Sequence, residues 1–323
     1  MEETILNILN TYDVTSCQIH NTDNPVIKIP VYIINLDKDI YRRCYIKYIT
    51  KKLNINYTLI IVKPITTDII NAVKCNLSSG VLGCYLSHMW CIKNAIENKY
   101  NHFLIFEDDI IFIKHFDVLF NTINYKNYDM VQLGCCDFNL NANLTNEFNE
   151  LNVTKIYNPK LLALGAYGNI YNLYFAKMLF KEKLNNVKEF DTTLDMYYNK
   201  YNIGICYPNL ITSELSTTNL QHNFSIFNGN KNNLFINRCF KNFDYSDYYF
   251  IWIHFIKYCY ECCNERLCYN LSQEEYETII IQFSKIYNNY NELIMKTLNN
   301  NNINAFDINN IMNDLHKEFD KQI

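Results

Sequence analysis

Phe103-Leu-Ile-Phe106 is a wholly apolar run that ends abruptly in three acids, Glu107, Asp108 and Asp109, before apolar residues resume from Ile110 to Ile113. A run this short and this apolar predicts a strand buried on both faces, as at the centre of a parallel sheet. Such a strand needs helices over both faces, which restricts the chain to an α/β architecture. The acids fall at the carboxyl end of the strand, where open α/β sheets gather ligands. Adjacent anions repel, and an ionised carboxylate is costly to bury without a partner. Two readings follow. The acids form a solvated turn, or they hold a divalent cation through hard oxygen ligands, with phosphates as its other ligands.

The flanking segments support alternating strands and helices. Val31–Leu36 reads as a first strand rich in β-branched residues. Asp39–Leu53 has helical spacing and carries Arg42 and Arg43 near its start. A helix N-terminus repels cations, so these arginines are either ordinary surface residues or partners of a bound anion such as a diphosphate. Tyr57–Val62 reads as a second strand, followed by a short helix from Thr66 or Thr67 to Lys74. After Ser78, the residues Leu82, Tyr85, Leu86, Met89, Ile92 and Ile96 recur at three- and four-residue steps, which predicts a buried helical stripe. Ser87 and His88 ride on that helix, and Gly80 and Gly83 open it. A histidine so placed is usually a hydrogen-bonded structural residue.

Beyond the acids, the pattern predicts a helix over Phe116–Ile123 and a strand over Tyr128–Gly134. Short edge strands follow at Val153–Tyr157 and Leu161–Leu164, then a strand over Gly165–Asn172 and a helix over Leu173–Leu184. A further helix is expected to open at Glu189, which would put Asp191 and Asp195 on one face. Asp191 is then either a reactive carboxylate or the cap of that helix. Gly204–Pro208 and Leu210–Ser213 are the last segments with strand character.

Residues 1–25 read as a polar, irregular arm with room for a short helix at Thr4–Leu9, 26–225 as the α/β domain, and 226–323 as a helical, Asn-rich extension. That extension could dimerise, bind a substrate or simply pack over the sheet. Its Cys259-x-x-Cys262-Cys263-x-x-x-x-Cys268 cluster lacks the second separated pair of a zinc site and reads as reduced helix cysteines.

Composition narrows the function. The formal net charge is -4, which argues against nucleic acid as the main partner. No apolar run approaches a membrane span, and the N-terminus does not resemble a secretory signal, so a cytoplasmic protein with reduced cysteines is expected. The abundance of Asn, Ile, Lys and Tyr points to an AT-biased gene, as in large DNA viruses (hence host cytoplasm or virion) and parasites. Glycine is scarce, yet five of its seven occurrences (Gly80, Gly83, Gly134, Gly165 and Gly168) fall in the segments assigned to the site.

Taken in order, Asn35-Leu36-Asp37, Arg42-Arg43, Gly80-x-x-Gly-Cys-Tyr-Leu-Ser-His88, Phe106-Glu-Asp-Asp109 and Gly165-Ala-Tyr167 before a helix resemble glycosyltransferase family 25. That family includes bacterial lipooligosaccharide and procollagen galactosyltransferases. The resemblance spans about residues 30–222. It implies a GT-A-like, Rossmann-type mixed sheet flanked by helices, and an inverting hexosyltransferase. It also implies a UDP-sugar donor, commonly with Mn²⁺ (or Mg²⁺), and a hydroxyl acceptor on a glycan, a lipid-linked sugar or hydroxylysine. Carried onto this chain, it implies metal ligation by Asp109 and Asp108, with His222 as a late candidate. Asn35, Arg42, Arg43, Gly80, Ser87, His88, Glu107 and Asp108 would face the donor. Asp191, with Asp195 second, would be the catalytic base. Two positions depart from the family pattern: Thr218-Asn219-Leu220 stands where bacterial members tend to have Ser-Asp-Ile, and Gly165-Ala166 where Gly-Thr is common. A degenerate transferase fold serving as a binding protein is the competing expectation. A nucleotidyltransferase ranks behind both, because no Gly-rich, Lys-containing triphosphate loop is evident.

Overall fold

The strand predicted from Phe103–Phe106 lies inside a mixed sheet. A computed structural model describes residues 2–113, 115–134, 155–157, 165–191, 194–207 and 209–213. The helical extension with its cysteine cluster, and the predicted strand at Leu161–Leu164, lie outside these residues. The chain divides into two compact units. One comprises Met1–Asp39 and Thr50–Glu214, the other Ile40–Ile49 and Leu215–Ile323.

The strands are β1 (Val14–Ile19), β2 (Val31–Leu36), β3 (Tyr57–Val62), β4 (His102–Glu107), β5 (Ile110–Phe112), β6 (Met130–Gln132), β7 (Lys155–Tyr157), β8 (Gly168–Asn172), β9 (Ile203–Tyr207) and β10 (Ile211–Ser213). The helices are α1 (Glu2–Thr11), α2 (Ile40–Lys52), α3 (Thr67–Val73), α4 (Ser79–Glu97), α5 (Phe116–Phe120) and α6 (Leu173–Asn185). Eight strands form one sheet in the order β1-β3-β2-β4-β8-β6-β9-β7, and β5 pairs with β10 in a second, two-stranded sheet. β2 runs parallel to β3 and β4, whereas β8 is antiparallel to both β4 and β6. This is the α/β architecture the sequence leads one to expect, with β4 in the interior of the sheet.

Strand alternation distributes β4 over two faces. Phe103 and Ile105 join a core cluster with residues of α1, α4 and α6. Phe106 turns the other way and meets Phe112 edge-on, which in turn meets Phe116 of α5. On α4 the predicted stripe is in place, with Leu82, Tyr85, Leu86, Met89 and Ile92 all buried. Ser78 caps this helix, its side chain accepting from the Val81 N–H at 3.3 Å.

Two expectations are corrected. Residues 1–25 are not an irregular arm. Ile5, Ile8 and Leu9 of α1 are buried in the core, and β1 extends the sheet by pairing antiparallel with β3. The helix expected to open at Glu189 is replaced by a turn at Phe190–Asp191 and a 3-10 turn over Leu194–Tyr197. The argument that Asp191 and Asp195 share a helical face therefore falls.

Candidate active site

The carboxyl end of β4 is where the structure gathers polar side chains. Glu107, the last residue of β4, has the same parity as Phe103 and Ile105 and so points toward α4. Cys84 and His88 lie one turn apart on α4 and share the face that meets it. Glu107 Oε1 is 2.9 Å from His88 Nε2 and 3.7 Å from Cys84 Sγ. An ionised carboxylate only accepts, so His88 donates through Nε2. His88 is fully buried, stacks on Phe190 with ring centroids 4.5 Å apart, and its Nδ1 meets no partner among the described residues. That pattern places a proton on Nε2.

Asp108 takes the opposite face. It is buried, and its Oδ2 accepts from Asn35 Nδ2 at 2.6 Å. Asn35 sits near the end of β2, beside β4 in parallel register, and also donates to the Asp39 carbonyl at 3.1 Å. Asp109 is half-buried in the turn that leads into β5.

Asp191 reaches this end of the sheet from a distant part of the chain. Its Oδ2 accepts from the Gly165 N–H at 3.1 Å. Gly165 has φ +121°, a conformation that suits glycine. Its carbonyl accepts from Gln132 Nε2 at 3.2 Å. Burial, together with the nearby charges of Glu107, Asp191 and Asp109, pushes the Cys84 thiol well above its ordinary range.

The positive counterpart is Lys183 on α6, buried at 2% exposure. Its Nζ donates to the Phe190 carbonyl at 2.8 Å and lies 4.5 Å above the Phe190 ring. Burial lowers its pKa to about 8, while Asp191 and Cys84 oppose that shift. Lys183 escaped the sequence reading, although a signal was present. It falls in step with Ala176 and Leu179 on the buried stripe of α6, where a lysine is out of place. Buried Gln132 and Asn169, cross-strand partners on β6 and β8, were also missed.

The remaining candidates separate. Ser87 is tied into the core, donating to the Gly83 carbonyl at 2.7 Å with Tyr12 Oη 3.4 Å away. Gly80 lies exposed in the first turn of α4. Arg42 and Arg43 are half-buried on α2, in the stretch that belongs to the second unit. Asp195 lies in the 3-10 turn. His222 and Asn219 are outside the described residues.

One cluster of possible metal ligands is found among the described residues. The ligand atoms of Cys84, His88 and Glu107 lie within 4.8 Å of one another. A cation on His88 Nε2 would drive the proton to Nδ1, where no acceptor stands among the described residues. Metal-bound histidines ordinarily donate their second N–H, so this set fits poorly. The hard carboxylate oxygens of Asp109 and Asp108 suit Mg²⁺ or Mn²⁺ better.

Residues 28–159 match the model of glycosyltransferase family 25 (LPS biosynthesis protein). The matched stretch includes β2 to β4, α4 and all three acids, while Gly165, Lys183 and Asp191 lie beyond it. No curated protein matches the chain.

Proposed function

We propose that the protein is a metal-dependent, inverting hexosyltransferase. It moves galactose or glucose from a UDP-sugar to a hydroxyl of a glycan, lipid-linked sugar or protein acceptor. The observation that carries this reading is convergence: Asp191, encoded far from the acidic motif, follows Phe190, which stacks on the same His88 that holds Glu107.

Division of labour follows from placement. Asp109, half-buried and next to the internally bonded Asp108, is the leading ligand for a divalent cation. When bound, such a cation supplies Lewis-acid stabilisation of the charge on the leaving diphosphate. Glu107 and Asn35 act from within, holding His88 and Asp108 and so fixing the strand end. Asp191 is the base. It accepts the proton of the acceptor hydroxyl as that oxygen bonds to the anomeric carbon, and the bond to UDP breaks on the opposite side.

A thermal-shift series with UDP, GDP and CMP, each with and without Mn²⁺, tests the reading. Ligand binding to the native state alone raises stability by mass action. A rise with UDP that requires Mn²⁺ and disappears in Asp109→Ala supports it, with turnover of UDP-galactose or UDP-glucose as the next measurement. The competing reading is a degenerate transferase fold that binds without turnover. It draws on the engagement of Glu107 and Asp108 within the protein itself, and it predicts no shift with any of the nucleotides.

A further inference from the structure

Phe190 is held from two helices at once. From α6, Lys183 Nζ donates to its carbonyl and covers its ring. From α4, His88 stacks on the ring at an interplanar angle of 22°, and Tyr85 meets it edge-on at 6.5 Å. Tyr85 also donates its hydroxyl to the Lys183 carbonyl at 2.6 Å, tying the two helices together at this level. The Phe190 carbonyl belongs to the planar peptide unit that continues into Asp191. Fixing that carbonyl fixes the plane from which the Asp191 side chain departs, and Asp191 Oδ2 is found on the Gly165 N–H.

We infer that Lys183 is a positioning residue for Asp191: by anchoring the Phe190 carbonyl, its buried ammonium sets the Asp191 carboxylate against Gly165. The inference rests on the reading of Asp191 as the base. An anchor serving the fold alone would not need a charge here. Lys183 occupies a stripe position between Leu179 and Leu184 where a methionine fills similar volume without desolvating a cation. The cation is spent on a backbone carbonyl and lies within the field of Asp191, both features of the turn that carries the base.

The test is hydrogen exchange at the Gly165 amide, read by NMR on the full chain, in K183M and K183R. The expected result is at least a tenfold loss of Gly165 protection in K183M, recovery to within threefold in K183R, and a melting temperature within a few degrees of wild type. Unchanged Gly165 protection in K183M overturns the inference. If K183M does not fold, K183Q is judged by the same criterion, because its amide is one atom too short to reach the carbonyl. In turnover of UDP-galactose or UDP-glucose, K183M lowers kcat at least tenfold and leaves the donor KM within twofold. It costs nothing further in a D191N background; losses that multiply there count against a route through Asp191. D191N turning over like wild type removes the base reading, while Gly165 exchange still decides whether Lys183 places that carboxylate.

Discussion

Glu107 and Asp108 are consecutive in the chain and face opposite sides of the sheet, one against His88 of α4 and the other against Asn35 of β2. Glu107 ends β4 and Asp108 opens the turn that follows, and each of the two adjacent anions has its own donor. Hydrogen bonds to charged groups contribute about 1.5–3 kcal/mol, so Glu107→Gln and Asp108→Asn are each expected to cost an amount of that order. Because the partners differ, the two costs should add. Urea denaturation of the single and double variants checks this. A coupling above about 1 kcal/mol would mean that the two carboxylates do share one environment.

Asp109 stands apart from that pair. It is half-buried in the turn, in the field of the Cys84 thiol. Asp109→Asn removes a hard anionic ligand with little change in volume. The expected outcome is a fold of near wild-type stability whose Mn²⁺-dependent UDP shift is lost, and whose turnover falls at least a hundredfold. EDTA should reproduce the loss in wild type, and added Mn²⁺ should reverse it. Turnover that survives both the substitution and the chelator would remove the metal from the reading.

Glycines distinguish strain from mere proximity. A Cβ on Gly134 would run into the Ile211 carbonyl oxygen, a backbone atom that cannot step aside. Gly134→Ala should therefore cost about 1–3 kcal/mol by overpacking. Gly165→Ala places a side chain at φ +121° and disturbs the amide that meets Asp191, so it should lower both stability and turnover. Gly83 is the contrast. Its Cβ would lie 3.2 Å from Ile65 Cγ1, a side-chain atom with room to yield, and alanine suits a helix better by up to about 1 kcal/mol. Gly83→Ala should be neutral or stabilising by melting temperature. A loss as large as that of Gly134→Ala would show that α4 cannot move at Ile65.

Physical chemistry decides which parts of this arrangement were legible in the sequence. β4 could be read because a strand covered on both faces tolerates no polar residue until it ends, and the three acids mark that end. The α4 stripe was legible for the same reason, since burial imposes its period. β1 was not, because Val-Thr-Ser-Cys-Gln-Ile is an edge strand with an exposed middle and carries no apolar alternation. α1 was legible only as a short helix at Thr4–Leu9; its burial was not, because its apolar residues acquire meaning only against α3, α4 and α6. The helix expected at Glu189 gives way to a turn where Phe190 is drawn inward by Lys183 and His88, contacts that no local pattern encodes. The donors that His88 and Asn35 give to Glu107 and Asp108 carry no sequence signal of their own. Those partners become visible only once α4 and β2 are set beside β4.

The charge on Lys183 yields a prediction whose sign is fixed. Its folded pKa of about 8 lies below the ordinary value of 10.5, because burial disfavours the ammonium. Between those two values the unfolded chain binds a proton that the folded chain does not. Stability contributed by this group therefore rises with pH from about 8 to 10.5, and the full penalty applies below about 8. At about 1.4 kcal/mol per pKa unit, that penalty is about 3 kcal/mol. Lys183→Met removes it and forfeits the bond to the Phe190 carbonyl, a loss of about 1.5–3 kcal/mol for a charged donor. At pH 7 the variant should thus match wild type or modestly exceed it in stability. As the pH is raised toward 10, wild type should gain on the variant by a few kcal/mol. Urea midpoints of both proteins between pH 6.5 and 10 provide the measurement, with the difference cancelling other titrations common to the two. A difference that stays flat over that range would mean that Lys183 titrates alike in the folded and unfolded states, and that its burial carries no electrostatic cost.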